Sequence, residues 1–383
     1  MSTPRARQRR RVAVVTGTRA EYGLLRSTLH SIRSQPRLEL QLAVTGMHLL
    51  SRFGHTLDDI HRDGFAVDAR VAMQRGDDSA GDQAAGLARG VAGLARFFER
   101  GASDVVLVLG DRIEALAGAL AAVTTGRVLA HVHGGDVALG DFDDSLRHAI
   151  TKLAHLHFVA SRDARRRVLR LGERRENVHL VGAPGLDDLR TVLQQHPRPL
   201  RRSNVALVVQ HAYGRPAAVE QALMQTLLAE VRRQGLRRVV LYPNSDRGHE
   251  GVLRAIERHL RESDPGEVEV QRSLPRGAFL RRLIDADVLI GNSSAGLIEA
   301  PFAGTPSVNV GRRQAQRLAG GPSVLHAAES PAAIRCALRQ ALSMRRRRPA
   351  ARVYGDGRAG ERIARVLADV RLDGALREKL IAY

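Results

Sequence analysis

Four aspartates that follow two short apolar runs have a type and spacing suited to proton transfer. The runs, Val105 to Leu109 and Arg127 to Val132, are rich in valine and leucine and stop abruptly at polar residues. Carboxylates act as general acids and bases when a fold holds them together. The pattern therefore predicts an acid/base site. The aspartates concerned are Asp111, Asp136, Asp143 and Asp144.

The elements around these aspartates predict how they are positioned. Between the two runs, Ile113 to Thr125 is rich in alanine and leucine and is of helical length, so the order is strand, helix, strand. Parallel strands joined in this way have a right-handed crossover, and ligands bind beyond their carboxyl ends. Because the aspartates follow those ends, we expect the site there.

Length and composition limit the class of protein. A chain of 383 residues is longer than a domain with a single hydrophobic core usually is, so two domains are expected. No apolar run is long enough to span a bilayer, which predicts a soluble protein with no membrane partner. The arginine-rich start resembles a charged leader, but Val12 to Val15 is too short for the core of a signal peptide. The lone cysteine, Cys336, lies in an apolar helical pattern that predicts an inert core residue, and cytoplasmic localisation is expected.

The formal net charge of +20 raises the question of nucleic-acid binding. Of the 60 basic residues only Lys152 and Lys379 are lysines, and the arginines are scattered along the chain. Aromatic residues make up 3% of the chain and tryptophan is absent, so there is little from which to build a surface that stacks on bases. We therefore predict no nucleic-acid partner, because a small phosphate-bearing substrate explains local basic residues equally well.

Two strand–turn–helix units predict anion binding. In the first, the strand Arg11 to Val15 is followed by Thr16-Gly17-Thr18-Arg19 and a helical pattern, and Arg19 can clamp a phosphate. In the second, a strand ends in Gly291-Asn292-Ser293-Ser294-Ala295-Gly296, whose small residues and hydroxyls let a pyrophosphate approach a helix N-terminus. Glu299, one turn into that helix, can take ribose hydroxyls.

The alternation of strands and helices restarts after a segment rich in proline and arginine. This segment, Pro184 to Asn204, predicts an interdomain connection. We expect a first Rossmann-like domain at residues 1–184 and a second at 185–358. Because each carries an anion-binding turn, a ligand clamped between them is expected.

Seven motifs occur in a fixed order between about Arg11 and Val366. They are Thr16-Gly17-Thr18-Arg19-Ala20-Glu21-Tyr22-Gly23, Val44-Thr45-Gly46-Met47-His48, Gly110-Asp111-Arg112, His131-Val132-His133-Gly134-Gly135, the stretch from Phe142 to Lys152, the stretch from Gly291 to Pro301, and Tyr354-Gly355-Asp356-Gly357. As a set, these motifs resemble the hydrolysing UDP-N-acetylglucosamine 2-epimerases.

The resemblance implies an α/β, GT-B-like fold of two Rossmann-type domains whose parallel sheets face a central cleft. It implies that the C-terminal helical segment, residues 359–383, packs back on the first domain. The implied reaction converts UDP-N-acetylglucosamine, or a 4-acetamido-6-deoxy relative, and water into UDP and the C2-inverted free sugar, typically N-acetylmannosamine. No cofactor and no metal are implied, and the implied assembly is a homodimer or homotetramer.

The resemblance also assigns roles to residues. The catalytic candidates are Asp111, Asp136, Asp143, Asp144 and His48. The candidates for binding UDP are Arg19, His211, Asn244, Ser293, Ser294, Gly296, Glu299 and Arg317. The candidates for binding the sugar are Arg112, His133 and Arg147. Either Asp143 or Asp144 can cap the helix predicted from Arg147, so which of them does chemistry stays open. His131 and His133 alternate on one strand, so at most one of them faces the ligand.

Three positions depart from the family pattern. Asp136 stands where glutamate is usual, and a carboxylate pulled back by about 1 Å can cost a large factor in rate. Gln210-His211-Ala212 replaces the usual His-Pro, and Gly320-Gly321-Pro322 makes the loop after Arg317 unusual. Three alternatives stay open: a non-hydrolysing epimerase, a GT-B glycosyltransferase and a non-catalytic nucleotide-sugar sensor. The Gly-Asp-Arg and His-Gly-Gly motifs argue against the first two, and binding without turnover would support the third.

Overall fold

The computed structural model describes residues 9–50, 56–75, 80–137, 143–244, 246–272, 274–344 and 352–382. The arginine-rich start of the chain up to residue 8 and Phe142 of the fifth motif lie outside these ranges. The chain divides into two compact units. The first unit comprises Met1–Asp136, Phe142–Asp187 and Gly355–Tyr383, and the second comprises Val137–Asp141 and Asp188–Tyr354.

The first unit is built on a seven-stranded sheet. Its strands are β1 (Arg10–Thr16), β2 (Leu38–Thr45), β3 (Ala69–Val71), β4 (Val105–Leu109), β5 (Val128–Val132), β6 (Leu156–Val159) and β7 (Val178–Leu180). All neighbouring strands are parallel, in the order β3-β2-β1-β4-β5-β6-β7. The order reverses between β1 and β4, which is where open α/β sheets bind their ligands.

Helices cover both faces of this sheet. They include α1 (Arg19–Ser34), α2 (Thr56–Arg62), α3 (Ala80–Arg100), α4 (Ile113–Thr124), α5 (Asp143–Leu153), α6 (Arg162–Arg170), α13 (Ala359–Asp369) and α14 (Gly374–Arg377), and α7 (Gly185–Gln195) begins in this unit and continues into the second. Every residue of β4 and β5 is buried, which is why both strands read as continuous apolar runs. The core has a large cluster of apolar side chains on each face of the sheet, and a smaller one lies between α6 and the strands β6 and β7.

Both lysines of the chain pair with one glutamate of the first unit. Lys152 Nζ lies 2.7 Å from Glu173 Oε1, Lys379 Nζ pairs with Oε2, and His157 Nε2 lies 3.0 Å from Oε2. Burial alone would raise the pKa of Glu173, but the hydrogen bonds from His157 and the two lysines outweigh it and lower the pKa to about 2. A backbone hydrogen bond of 2.8 Å from Ala382 N to Gly172 O fixes the C-terminal segment beside this cluster.

The second unit has a six-stranded parallel sheet. Its strands are β8 (Val205–Val209), β9 (Arg237–Leu241), β10 (Val268–Gln271), β11 (Val288–Gly291), β12 (Ser307–Val310) and β13 (Val324–Ala327). The helices are α8 (Ala217–Arg233), α9 (His249–Arg261), α10 (Arg276–Asp285), α11 (Ala295–Ala303) and α12 (Pro331–Ser343). The strand order is β10-β9-β8-β11-β12-β13, so the reversal lies between β8 and β11.

The predicted fold class, α/β with two parallel Rossmann-like sheets, is confirmed. The predicted burial of Cys336 and the predicted start of one helix are wrong, and the predicted interdomain connection, which contains the boundary between the units, includes a helix. Cys336 is exposed, because the buried face of α12 is formed by residues such as Ile334 and Leu338. The helix predicted from Arg147 begins four residues earlier, at Asp143. The connection predicted between Pro184 and Asn204 contains α7, whose apolar residues Leu186 and Leu189 are buried. Among the described residues, no helix is both long enough and apolar enough to cross a membrane.

Candidate functional site

Four of the predicted side chains in the first unit are linked through Arg147. Arg147 lies on α5, is 3% exposed, and pairs through Nη2 with Oδ2 of Asp111, which follows β4. Its Nη1 donates a hydrogen bond of 3.0 Å to the carbonyl of His133, which follows β5. The Nδ1 atom of His133 lies 2.8 Å from Oδ2 of Asp136. The loops after β4 and β5 are therefore held together as one polar cluster: Asp111, His133, Asp136 and Arg147. We call it the proton-transfer cluster, after the role that the sequence analysis predicts for its aspartates.

Of the two alternating histidines, His131 is internal and His133 belongs to this cluster. His131 has no exposed surface; its Nε2 lies 2.8 Å from Gly110 O and its Nδ1 lies 3.1 Å from Thr151 Oγ1. Burial lowers the pKa of His131 to about 3, so the ring is neutral and links β5 to neighbouring elements. His133 instead has a φ of +65°, a left-handed conformation that is uncommon for a residue with a side chain.

Asp143 and Asp144 lie in the first turn of α5. Both are half-buried, and Asp144 Oδ2 lies 3.3 Å from His148 Nε2. Negative charge is favourable at this end of a helix because the free backbone N–H groups and the helix dipole are positive there. Position in the first turn fits either a structural or a catalytic role, so the choice between the two aspartates stays a prediction.

The remaining candidates of the first unit lie near the ends of β1, β2 and β4. Both ring nitrogens of His48 are hydrogen-bonded, Nε2 to Thr16 Oγ1 at 3.2 Å and Nδ1 to Thr56 Oγ1 at 2.9 Å. Burial lowers its pKa to about 4, so His48 is neutral at physiological pH. Arg19 and Arg112 are each paired: Arg19 Nε lies 3.0 Å from Asp59 Oδ2, and Arg112 Nε lies 3.3 Å from Glu114 Oε2. These partners hold the side chains that the sequence assigns to phosphate and sugar.

The turn after β1 contains a buried carboxyl group that sequence reasoning missed. Glu21 is 6% exposed, and its Oε2 accepts a hydrogen bond of 2.8 Å from Gly17 N. Burial raises the pKa of Glu21 to about 8, and the neighbouring Glu114 adds to the rise. The Gly17 N–H is therefore already used inside the protein, and anion binding by Arg19 stays a prediction.

We expect Glu21→Gln to flatten the pH dependence of the free energy of unfolding. A carboxyl group whose folded-state pKa is raised contributes stability that is complete below its unfolded pKa of about 4.5 and is lost as pH rises through about 8. The free energy of unfolding of the wild type should decrease as pH rises over this interval. In Glu21→Gln, the part of this decrease that comes from Glu21 should be absent. Urea unfolding at several pH values measures it, with Glu361→Gln, an exposed position on α13, as the control. Equal slopes for wild type and Glu21→Gln would contradict the prediction.

In the second unit, the ends of β8 and β11 are joined by reciprocal hydrogen bonds. His211 N donates to Asn292 Oδ1 at 2.8 Å, and Asn292 Nδ2 donates to His211 O at 2.7 Å. The ring of His211 accepts a hydrogen bond of 3.1 Å at Nδ1 from Asn244 N. Burial and the charge of Arg313 lower the pKa of His211 to about 3, so the ring is neutral. Two predicted UDP-binding residues, His211 and Asn244, thus lie around the reversal in strand order, together with Asn292, which was not predicted.

The serine turn leads directly into α11. Ser294 is the N-cap residue of this helix, and in the described part of the chain its hydroxyl makes no capping hydrogen bond. Ser293 Oγ accepts only a long hydrogen bond of 3.4 Å from Ala295 N. Hydroxyls and backbone N–H groups at such a helix start form an anion-binding arrangement. A Cβ at Gly296 would approach Leu289 Cδ2 to 3.1 Å, so glycine at this position lets the helix pack closely on β11, and its part in binding UDP stays a prediction.

Glu299 forms an ion pair that the sequence did not predict. It is 6% exposed, and its Oε1 pairs with Nη2 of Arg276 at the start of α10. Arg313, also missed, donates to the carbonyl of Asn292 at 3.2 Å. Neither arginine stood out from the sequence because arginine is so frequent in this chain.

The unusual loop after Arg317 has a physical explanation. Gly320 N donates a hydrogen bond of 2.8 Å to Leu297 O, and a Cβ at Gly320 would lie 2.3 Å from that oxygen. Glycine is therefore required for this loop to approach α11 so closely. Arg317 lies at the base of the loop and is half-buried.

The family model described as UDP-N-acetylglucosamine 2-epimerase matches residues 30–368. A Legionella pneumophila protein named UDP-N,N'-diacetylbacillosamine 2-epimerase (hydrolyzing) is 33% identical over 381 residues, which cover 98% of this chain and 100% of the relative. A Neisseria meningitidis UDP-N-acetylglucosamine 2-epimerase is 33% identical over 347 residues, which cover 88% of each chain.

Solved structures show the same fold. The S. aureus MnaA–UDP co-structure has a TM-score of 0.75 at 18% identity and covers 94% of this chain and 96% of its own. The Methanocaldococcus jannaschii UDP-GlcNAc 2-epimerase in complex with UDP-GlcNAc and UDP has a TM-score of 0.74 at 15% identity, covering 93% and 99%. Together, the sheet topology, the family match and the near full-length relatives show that this chain belongs to the UDP-N-acetylglucosamine 2-epimerase family.

Proposed function

We propose that this protein is a hydrolysing 2-epimerase of a UDP-2-acetamido sugar. It converts UDP-N-acetylglucosamine, or a relative with a second acetamido group at C4, and water into UDP and the C2-inverted free sugar. The proton-transfer cluster carries the proposal, because it brings two carboxylates, an imidazole and a guanidinium together where β4 and β5 end. The names of the Legionella relative and of a Campylobacter jejuni relative, both of which include "hydrolyzing", support the same reaction.

The chemistry explains why such a cluster is needed. The proton on C2 is weakly acidic, so its removal is coupled to departure of UDP from C1. The C2–H electrons form the C1–C2 double bond, and the C1–O bond breaks with its electron pair leaving on UDP. Water then adds its hydroxyl to the resulting 2-acetamidoglucal at C1, and a proton returns to C2 on the opposite face. The steps require a base, an acid and groups that stabilise the departing diphosphate.

The two units supply these groups separately. In the first unit, we assign proton transfer to the proton-transfer cluster and to the first-turn aspartates of α5. In the second unit, we assign the diphosphate to Ser293 and Ser294 at the start of α11, because hydroxyls at a helix N-terminus suit an anion. We assign the ribose hydroxyls to Glu299, because a buried carboxylate one turn into α11 can accept hydrogen bonds from hydroxyl groups.

Proton NMR of the enzyme with a UDP-sugar in D2O tests the proposal. UDP-N-acetylglucosamine and a UDP-2,4-diacetamido-6-deoxy sugar are incubated separately with wild-type protein, with a reaction lacking enzyme as the control. We expect free UDP together with a free sugar that has inverted C2 and carries deuterium there. That single product establishes elimination, hydration and inversion.

Other spectra would contradict the proposal. Formation of a UDP-sugar with inverted C2 and no free UDP would identify a non-hydrolysing epimerase. Unchanged spectra with both substrates, combined with binding of UDP measured by calorimetry, would identify a non-catalytic sensor. Product with only one of the two substrates would define which sugar the enzyme accepts.

A further inference from the structure

His133 and Asp136 form a pair with the geometry of a base and its orienting group. The distance from His133 Nδ1 to Asp136 Oδ2 is 2.8 Å, and the two side chains are 8% and 5% exposed. An ionised carboxylate has no proton to donate, so Asp136 can only accept this hydrogen bond. The pair therefore selects the His133 tautomer that carries its proton on Nδ1. Nε2 then carries the free lone pair of the ring.

The free ring nitrogen of His133 is not used by any residue of the described part of the chain. Nε2 has no hydrogen-bond partner among the residues that the structure describes, although Nδ1, the backbone N and the carbonyl all have one. By contrast, His131 and His48 have both ring nitrogens engaged. Of the three histidines near these strand ends, only His133 has a basic nitrogen available for a substrate.

The backbone of His133 is held in an unusual, left-handed conformation. Its φ of +65° is unfavourable for a residue with a Cβ, so surrounding contacts must maintain it. Two of these contacts are the hydrogen bonds from Arg147 Nη1 to His133 O at 3.0 Å and from His133 N to Phe158 O at 3.0 Å. Such local strain is typical of functional positions.

From this geometry we infer that His133 is the base that removes the C2 proton, and that Asp136 is a positioning residue that acts through His133. This inference rests on the proposed function. In the elimination step, Nε2 takes the C2 proton, the C1–C2 double bond forms, and UDP leaves C1 with the electron pair. The imidazolium is stabilised by the Asp136 carboxylate and later releases its proton to water. Asp136 does not need to reach the sugar, so its short side chain is sufficient.

A double-mutant cycle on the full-length protein tests both roles. We expect His133→Gln to lower kcat for UDP release by about 10²- to 10⁴-fold, because a positioned base contributes a factor of that size. Asp136→Asn should lower kcat at least about tenfold, as the loss of an orienting carboxylate does in other His–Asp pairs. The double variant His133→Gln with Asp136→Asn should be no slower than His133→Gln alone, within about threefold, because Asp136 acts only through His133.

The pH dependence of kcat/KM distinguishes a positioning role of Asp136 from a purely structural one, because a purely structural role would leave this dependence unchanged. Removing the Asp136 carboxylate destabilises the imidazolium, so the acidic limb of kcat/KM should move to lower pH in Asp136→Asn and return toward the wild-type position in Asp136→Glu. The other charged or titratable groups around His133, namely Asp111, Arg147 and His131, are the same in all these variants. UDP affinity and the thermal unfolding midpoint control for folding, and His30→Gln on α1 is the matched histidine control.

The results that overturn the inference are distinct from those that overturn the proposed function. If wild-type protein turns over neither UDP-sugar, the proposed function and the inference both fail. If the wild type is active and His133→Gln keeps kcat within about fivefold of it, only the inference fails. A third outcome is that the double variant has a kcat below that of His133→Gln by the same factor by which Asp136→Asn lowers the wild-type kcat. In that case Asp136 acts on the substrate independently, and its positioning role is wrong.

Discussion

Replacing Asp111 by asparagine is expected to lower kcat for UDP release by about 10²- to 10⁴-fold, the range for losing a positioned acid or base. The same change leaves the guanidinium of Arg147, only 4% exposed at its side chain, without its carboxylate. Removing one partner of a buried ion pair is destabilising, and because the Asp111 side chain is 19% exposed we expect about 2 kcal/mol. Steady-state kinetics and urea unfolding measure the two effects.

The double variant Asp111→Asn with Arg147→Met separates activity from stability. Without the arginine, no charge is left unpaired, so the free energy of unfolding should recover toward wild type while kcat stays low. Asp163→Asn is the matched control, since Asp163 pairs with Arg166 on the exposed surface of α6 and such pairs contribute little. If Asp111→Asn lost stability but kept wild-type kcat, Asp111 would have only a structural role.

Gly291→Ala is expected to lower the free energy of unfolding by about 3 kcal/mol or more. Gly291 ends β11 with a φ of +138°, a region that residues with a Cβ avoid. A Cβ at this position would lie 2.1 Å from Val209 O, on the neighbouring strand β8. The turn that follows carries Asn292, Ser293 and Ser294, so UDP affinity measured by calorimetry should fall along with stability.

Gly277→Ala provides the comparison within the same unit. Gly277 lies in α10, and the nearest atom to a Cβ there is Arg281 Nη1 at 3.6 Å, an ordinary contact. Alanine is the better helix former by about 1 kcal/mol, so this variant should be as stable as the wild type or slightly more stable. Equal unfolding curves for Gly291→Ala and wild type would show that β8 can move away from β11 at little cost.

The fold was predictable from the sequence because its main signals are local. The valine-rich runs that became β4 and β5 are buried on both faces, and such runs stop where the strands stop. The turn after β11 was predictable for the same reason, since Ser293 and Ser294 lie between a strand and a helix. Cys336 was misplaced because its helix has a mixed pattern in which apolar residues also occur on the exposed side.

Apart from the local pair His133–Asp136, the connections within the site were not predictable, because they join residues far apart in the chain. Arg147 and Asp111 are separated by 36 positions, and nothing in either motif indicates that they pair. Glu299 and Arg276 lie on different helices. Because arginine is so frequent in this chain, the sequence did not indicate that Arg276 forms this ion pair. His133 was assigned to the sugar only by resemblance, and its left-handed backbone has no signature in the sequence.

The pairing of both lysines with Glu173 gives the chain an unusual response to a lysine-specific protease. Such a protease can cut at only two positions, after Lys152 and after Lys379. Both ammonium groups are engaged by the same carboxylate, and their side chains are 35% and 21% exposed. Cleavage after Lys152, in the last turn of α5, therefore requires that helix to open. Digestion under native conditions would thus report the opening of the first unit by itself, since the second unit contains no site for the protease.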